Sequence, residues 1–95
     1  MHRIIAGFDW DQGNWPKCAK HGVSKEEIES LFDGDIAVHT DPVRGEERLR
    51  AIGRTAGKRY VFVVFTLREI GGRNFIRPIS ARYMHEREIR RYEQE

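Results

Sequence analysis

The sequence predicts a small α+β fold: an antiparallel β-sheet with two N-terminal helices and a C-terminal helix, packed on one sheet face. Three observations carry that prediction. A full capping signature opens a helix at Ser24. Strand-length apolar runs separated by hairpin turns fill positions 46–81. A charged stretch with helical spacing closes the chain. A chain of 95 residues has room for one core of ordinary size, so positions 1–95 are read as a single domain.

The elements follow in order. Phe8-Asp9-Trp10 reads as a short first strand, with Asp11 and Asn14 as candidate caps behind it. Pro16 is tolerated only in a helix's first turn, which places a helix start near Asn14 or Trp15. His21 ends that helix and Gly22 supplies the left-handed residue beyond it. The second helix has Ser24 as N-cap and Glu27 completing the S-x-x-E box, with Val23 and Ile28 as a hydrophobic staple. Ile28, Leu31 and Phe32 form its apolar stripe, and Gly34 stops it. Ile36 to His39 is the second strand, followed by a loop through Asp41-Pro42-Val43-Arg44-Gly45. Glu46 to Gly53 alternates, with Leu49 and Ala51 on one face and Arg48, Arg50 and Arg54 on the other. Thr55-Ala56-Gly57-Lys58 is a hairpin turn. Tyr60 to Thr66 is nearly continuous in apolar residues, the pattern of a central strand buried on both faces. Gly71-Gly72 turns the chain again and Asn74 to Ala81 returns, irregular at Pro78 or lying at an edge there because proline lacks the ladder donor. Met84 to Glu93 is a helix whose narrow stripe, Ile89 and Tyr92, docks weakly, with Glu86 and Arg90 paired at i,i+4.

Composition excludes several classes. The longest apolar run, Tyr60 to Phe65, is far short of the ~20 residues of a membrane-spanning helix. No signal peptide is read at the N-terminus, and a lone Cys18 forms no disulfide framework, so a cytoplasmic protein is expected. The four histidines and Cys18 lack ligand spacing, and there is neither a D-x-D cluster nor a phosphate-cradling glycine loop, so no metal or other cofactor is expected. Charge is more informative. Residues 1–40 carry four Lys/Arg against seven Asp/Glu, whereas residues 41–95 carry 13 against eight, and all but Lys58 of those 13 are arginine. Guanidinium forks suit phosphate, so this half is where a polyanion partner would bind; a solvated surface of mixed ion pairs is the plainer alternative.

Trp10-Asp11, Lys20-His21-Gly22-Val23-Ser24, Glu47-Arg48, Ile52-Gly53, Val63-Val64-Phe65-Thr66 and Ile79-Ser80-Ala81-Arg82 stand in an order that resembles the BrnT family of bacterial type II toxins, grouped with RelE-like ribonucleases. The resemblance runs from Phe8 to about Tyr92. It implies a ribonuclease toxin that cuts RNA to block translation. It also implies neutralisation by a BrnA-like antitoxin, with operator DNA contacted only through the antitoxin complex, and no membrane partner. The implied fold is a RelE-like antiparallel sheet flanked by helices. The chain departs from the family form between Trp10 and His21, which is one residue shorter here, and at Pro78, which re-aims Arg77.

RNA cleavage without metal needs charge stabilisation at phosphorus and proton transfer at two oxygens. The expected catalytic residues are His21, Arg48 and Arg82, the two arginines chiefly because the resemblance places them in the family's motifs. The expected substrate-binding residues are Lys20, Arg50, Arg54, Arg77, Tyr83 and His85. His21, an imidazole beside Lys20, is the first candidate for proton transfer, or else caps a helix terminus as a structural cation. His85 is the second proton carrier, or a surface residue. Arg48, Arg50 and Arg54 share one strand face, where residues two apart stand about 6.5–7 Å from each other, a pitch suited to a nucleic-acid backbone; for Arg48, pairing with Glu46 is the alternative. Arg77 and Arg82 have opposite parity, so they share a face only if the strand is irregular at Pro78 or after Ala81. Tyr83 is placed for base stacking or for packing at a strand–helix junction. A competing reading is a non-catalytic nucleic-acid- or protein-binding module that acts as co-repressor with a DNA-binding partner.

Overall fold

The computed structural model describes residues 5–40 and 48–94. The expected loop at 41–45 and the start of the strand at Glu46 and Glu47 lie outside the described residues. Five strands form one sheet: β1 (Ile5–Phe8), β2 (Ile36–Thr40), β3 (Leu49–Arg54), β4 (Tyr60–Ile70) and β5 (Arg73–Tyr83). Two α-helices accompany it, α1 (Lys25–Leu31) and α2 (Glu86–Glu93). The sheet order is β1-β5-β4-β3-β2. The three ladders from β2 to β5 are antiparallel, but β1 runs parallel to β5. The sheet is therefore mixed rather than antiparallel. No hairpin joins β1 to β5, so nothing local dictates their relative direction.

The helix layout also differs from expectation. Among the described residues one α-helix precedes the meander; residues Lys17–His21 wind as a 3-10 turn. Five residues between Pro16 and Gly22 are too few for an α-helix to offset its nucleation cost, whereas a 3-10 turn needs one hydrogen bond per three residues. Gly22 takes the left-handed conformation expected of it, with φ 86°. In α1 the capping box is complete: Glu27 N donates to Ser24 Oγ at 3.0 Å and Ser24 N donates to Glu27 Oε1 at 3.0 Å. Both staple residues, Val23 and Ile28, are buried. The helix ends at Leu31, with Phe32 as C-cap, short of Gly34.

One face of the sheet carries the core. Val61, Val63 and Phe65 of β4, Ala51 of β3, and Ile76 and Ala81 of β5 are buried against Cys18, Val23, Ile28 and Leu31. Phe32 links two sheet aromatics, meeting Phe8 edge-on at 5.6 Å and Phe65 at 5.2 Å. Gly53 lies where a Cβ would stand 2.7 Å from Ile36 Cγ2 and 3.2 Å from Leu31 Cδ1, so only glycine lets β3 pass this close to β2 and α1. The other face of β4 is not fully covered. Tyr60, Phe62, Val64 and Thr66 are half-buried, which corrects the expectation of a strand buried on both sides. The β4–β5 hairpin turns at Gly71 and Gly72, with φ 60° and 79°, a pair of left-handed residues that matches the twist of its strands.

β5 contains the irregularity expected at Pro78, though not at a sheet edge, since β5 lies between β1 and β4. Val64 pairs with Ser80 and Phe65 with Pro78, so Ile79 is an extra residue on the β5 side. Pro78 is fully buried. β1 reaches only as far as Ile76 along β5, and the 3-10 turn packs beside β5. Asn14 makes the join: its Nδ2 donates to Asp9 O and to Pro78 O, both at 2.9 Å, and its Oδ1 accepts from Asp11 N at 2.8 Å.

Candidate functional site

Strand register decides which arginines meet. Ala51, Val63 and Ala81 form one cross-strand row on the core face, so Arg50, Ile52 and Arg54 of β3 and Tyr60, Phe62 and Val64 of β4 point to the opposite face. The bulge at Ile79 then sets the parity of β5. Ile76, Pro78 and Ala81 all face the core, so Arg77 and Arg82, five positions apart, both project to the second face. A regular strand would have put them on opposite sides.

Phe62 is the centre of the arrangement. It pairs directly with Arg82 on β5 and with Ile52 on β3. The Arg82 guanidinium carbon lies 4.8 Å from its ring centroid and that of Arg50 lies 5.7 Å away. Two cations from strands on either side of β4 thus share one ring, whose negative face attracts both. One row on, Arg54 lies 5.0 Å over Tyr60, its cross-strand partner. The rings hold these guanidiniums by cation–π attraction. Arg48, half-buried, leads into β3 from the same stretch.

Arg82 has a second contact. Its Nη1 and Nη2 donate to Glu88 Oε1 and Oε2 of α2 at 2.7 and 2.8 Å, a two-pronged pair. Glu88 Oε1 also accepts the backbone N–H of His85 at 2.9 Å. The Arg82 guanidinium first, and that amide second, pull the Glu88 carboxyl down to about 2, and the same pairing raises Arg82. His85 itself is exposed at the N-cap of α2, one shared carboxylate away from Arg82.

The remaining expected residues lie elsewhere. Arg77 shares the face with Arg82 but is committed to the N-terminal segment: it donates to Asp9 Oδ2 at 3.1 Å and to Asp11 Oδ2 and Oδ1 at 3.0 and 2.9 Å. Arg68 donates to the same Asp9 oxygen, so two carboxylates balance two guanidiniums. The Arg77 bonds hold the Asp11 carboxyl below its usual range. A Cβ at Gly13 would lie 2.8 Å from Arg77 Nη2, so glycine lets this loop close over the arginine. Tyr83 lies on the core side. Its hydroxyl donates to the Glu27 carboxylate, 2.8 Å from either oxygen, and the Arg59 guanidinium stacks 3.5 Å over its ring. That hydrogen bond raises the Tyr83 phenol and, after the Ser24 backbone bond, helps lower Glu27. Lys20 and His21 are exposed at the end of the 3-10 turn, and no contact described for His21 joins it to Phe62 or Arg82.

A cleft of about 480 Å³ opens where the β3–β4 turn approaches α2, lined by Arg54, Lys58, Arg59, Tyr60, Tyr83 and Ile89 among others. Among the described residues, no three His, Cys, Asp or Glu side chains are grouped to hold a metal ion, and no helix is long and apolar enough to cross a membrane. Sequence reasoning missed Phe62, Tyr60 and Glu88. The aromatics were hidden inside an apolar run, where only the half-cover of the second face reveals their role. In the sequence Glu88 is one of several carboxylates interspersed among arginines, with nothing local to single it out.

Against known proteins, no curated relative matches the chain. A family model does match, over residues 10–88, described as ribonuclease toxin, BrnT, of type II toxin-antitoxin system. The matched span contains all the strands from β2 to β5, the arginine–aromatic face and the Arg82–Glu88 pair. With most of its length covered by that model, the chain belongs to the BrnT family of ribonuclease toxins of type II toxin–antitoxin systems.

Proposed function

We propose that the chain is a metal-independent endoribonuclease that blocks translation in the cytoplasm by cutting RNA, with Arg82 and Arg50 over Phe62 as its phosphodiester-binding centre. The observation that carries this reading is the sharing of one ring by guanidiniums from β3 and β5. In such a reaction the RNA 2′-hydroxyl attacks the adjacent phosphorus. The new O–P bond closes a 2′,3′-cyclic phosphate, the bond to the 5′-oxygen breaks, and the attacking proton leaves while another is delivered to the departing oxygen. Guanidiniums fixed on rings need little reorganisation as charge grows on phosphorus, and fixed donors of this kind supply the largest share of catalysis. Arg48 and Arg54 extend the cationic row, Lys20 adds charge near His21, and Tyr83 borders the cleft beyond. His85, whose backbone N–H shares the Glu88 carboxylate with Arg82, is the proton carrier in this reading; His21 takes that role only if RNA or a partner bridges from the 3-10 turn. Arg77 contributes by fixing β5 to the N-terminal segment.

Family membership implies a protein antitoxin. A BrnA-like partner fits, with an acidic, apolar segment covering the arginine face and with operator DNA reached only through the complex. The test is cleavage of single-stranded RNA by the purified chain in chelator, with growth arrest on induction as its cellular counterpart. Arg82→Ala and Arg50→Ala are expected to lose about 10²–10³-fold in rate. His85→Ala is expected to lose at least about 10²-fold and His21→Ala less. Phe62→Leu, which keeps apolar bulk but removes the ring, is expected to lose about tenfold through misplaced arginines. Folded arginine variants that cut at the parent rate would remove the mechanism. Intact RNA and normal growth, together with operator binding beside an antitoxin, would favour the co-repressor reading.

A further inference from the structure

Helix α2 is held on the arginine face almost entirely by polar and aromatic contacts. None of its residues is buried. Tyr92 meets Tyr60 edge-on at 5.7 Å, Glu93 Oε2 accepts the Tyr60 hydroxyl at 3.0 Å, and Glu88 takes both prongs of Arg82. Eight residues are too few for a helix to persist in water without docking, and these partly exposed contacts are what dock it. The carboxylate it delivers has the shape that matters: two parallel N–H···O bonds to a planar fork are also how arginine grips a phosphodiester.

We propose that Glu88 is an internal competitor for the phosphodiester position on Arg82, so that RNA seats only when α2 gives up this carboxylate. This rests on the reading of the Arg82–Phe62–Arg50 face as the phosphodiester site. The opposite role, a brace that aims Arg82 at substrate, predicts the opposite sign on removal. A brace lost weakens binding; a competitor lost strengthens it.

The experiment measures affinity for a labelled, non-cleavable 2′-O-methyl single-stranded RNA of mixed sequence by fluorescence anisotropy at fixed salt. Glu88→Gln keeps the shape of the side chain and an oxygen to accept the His85 N–H. It is expected to tighten binding about fivefold, the size of a partly exposed pair removed from competition. Glu86→Gln makes the same change of charge on the same helix, at a residue paired with Arg90 instead, and is expected to change affinity less than about twofold. In an Arg82→Ala background the gain from Glu88→Gln is expected to vanish. Equal or weaker binding by folded Glu88→Gln overturns the proposal, as does an equal gain in Glu86→Gln, which would reduce the effect to net charge. If Arg82→Ala and Arg50→Ala abolish cleavage while Glu88→Gln gives no gain, the competitor falls and the nuclease reading stands. If the parent chain binds RNA without cutting it and Glu88→Gln still gains through Arg82, the competitor stands and the catalytic reading falls.

Discussion

Asn14 offers the sharpest test of how the fold is held. It is 3% exposed and spends its whole amide on backbone: two donors to the carbonyls of Asp9 and Pro78, and one acceptor to the N–H of Asp11. Alanine there leaves the buried Pro78 carbonyl without its donor, at about 1–3 kcal/mol. The two part-buried partners regain water and cost about 0.5–1 kcal/mol each. The sum, about 2–5 kcal/mol, is a large share of the 5–15 kcal/mol typical of a whole domain. At ~4–8 °C per kcal/mol for a chain of this size, the midpoint should fall by about 8–40 °C. Urea and thermal denaturation followed by far-UV circular dichroism would measure it. Asn14→Asp adds a discriminating comparison. It keeps the shape and the acceptor but turns a negative oxygen toward two carbonyls, so at neutral pH it should be less stable than alanine. A loss below about 1 kcal/mol in Asn14→Ala with an unchanged denaturant slope would refute the reasoning, and so would an Asp variant as stable as the parent.

Two further outcomes follow from packing and charge. Gly53→Ala should destabilise by about 1–3 kcal/mol in the same urea assay, because its Cβ would stand 2.7 Å from Ile36 Cγ2; unchanged stability would mean β2 and α1 are not packed this closely. In acid, Glu88 should report its pairing with Arg82. Its carboxyl is lowered to about 2 in the folded chain, so the pair's stabilisation is complete above the ordinary value of 4.5 and is lost as pH falls toward 2. Both side chains are 35% exposed, so solvent screens the pair to about 1 kcal/mol. The midpoint of the parent should exceed that of Glu88→Gln by several degrees at pH 7, with the gap closing near pH 2. A constant gap would show that the pair does not form in solution.

The candidate site was legible only in part. The excess of arginine in the second half, the periodicity of Arg50 and Arg54, and the position of Arg82 are properties of the linear chain. That Arg82 shares a ring with Arg50 is not, because it depends on one extra residue at Ile79 and on the register of two ladders. Nor could a run of apolar residues at Tyr60–Thr66 say which of its faces would be covered, and that hid Phe62 and Tyr60 as cation platforms.

Ser24, Glu27, Val23 and Ile28 determine α1 by themselves, and Thr55–Lys58 and Gly71-Gly72 determine the turns of the meander. Each of these signals acts between residues no more than five apart, where chain connectivity already holds the partners close. Tertiary structure alone decided the parallel docking of β1, the clasp of Asn14 on Pro78 across 64 positions, and the meeting of Arg77 with Asp9 and Asp11. Contacts between such distant residues form only after a loop has been closed at an entropic cost. Their geometry is therefore set by the packed sheet as a whole, and no short stretch of sequence contains it.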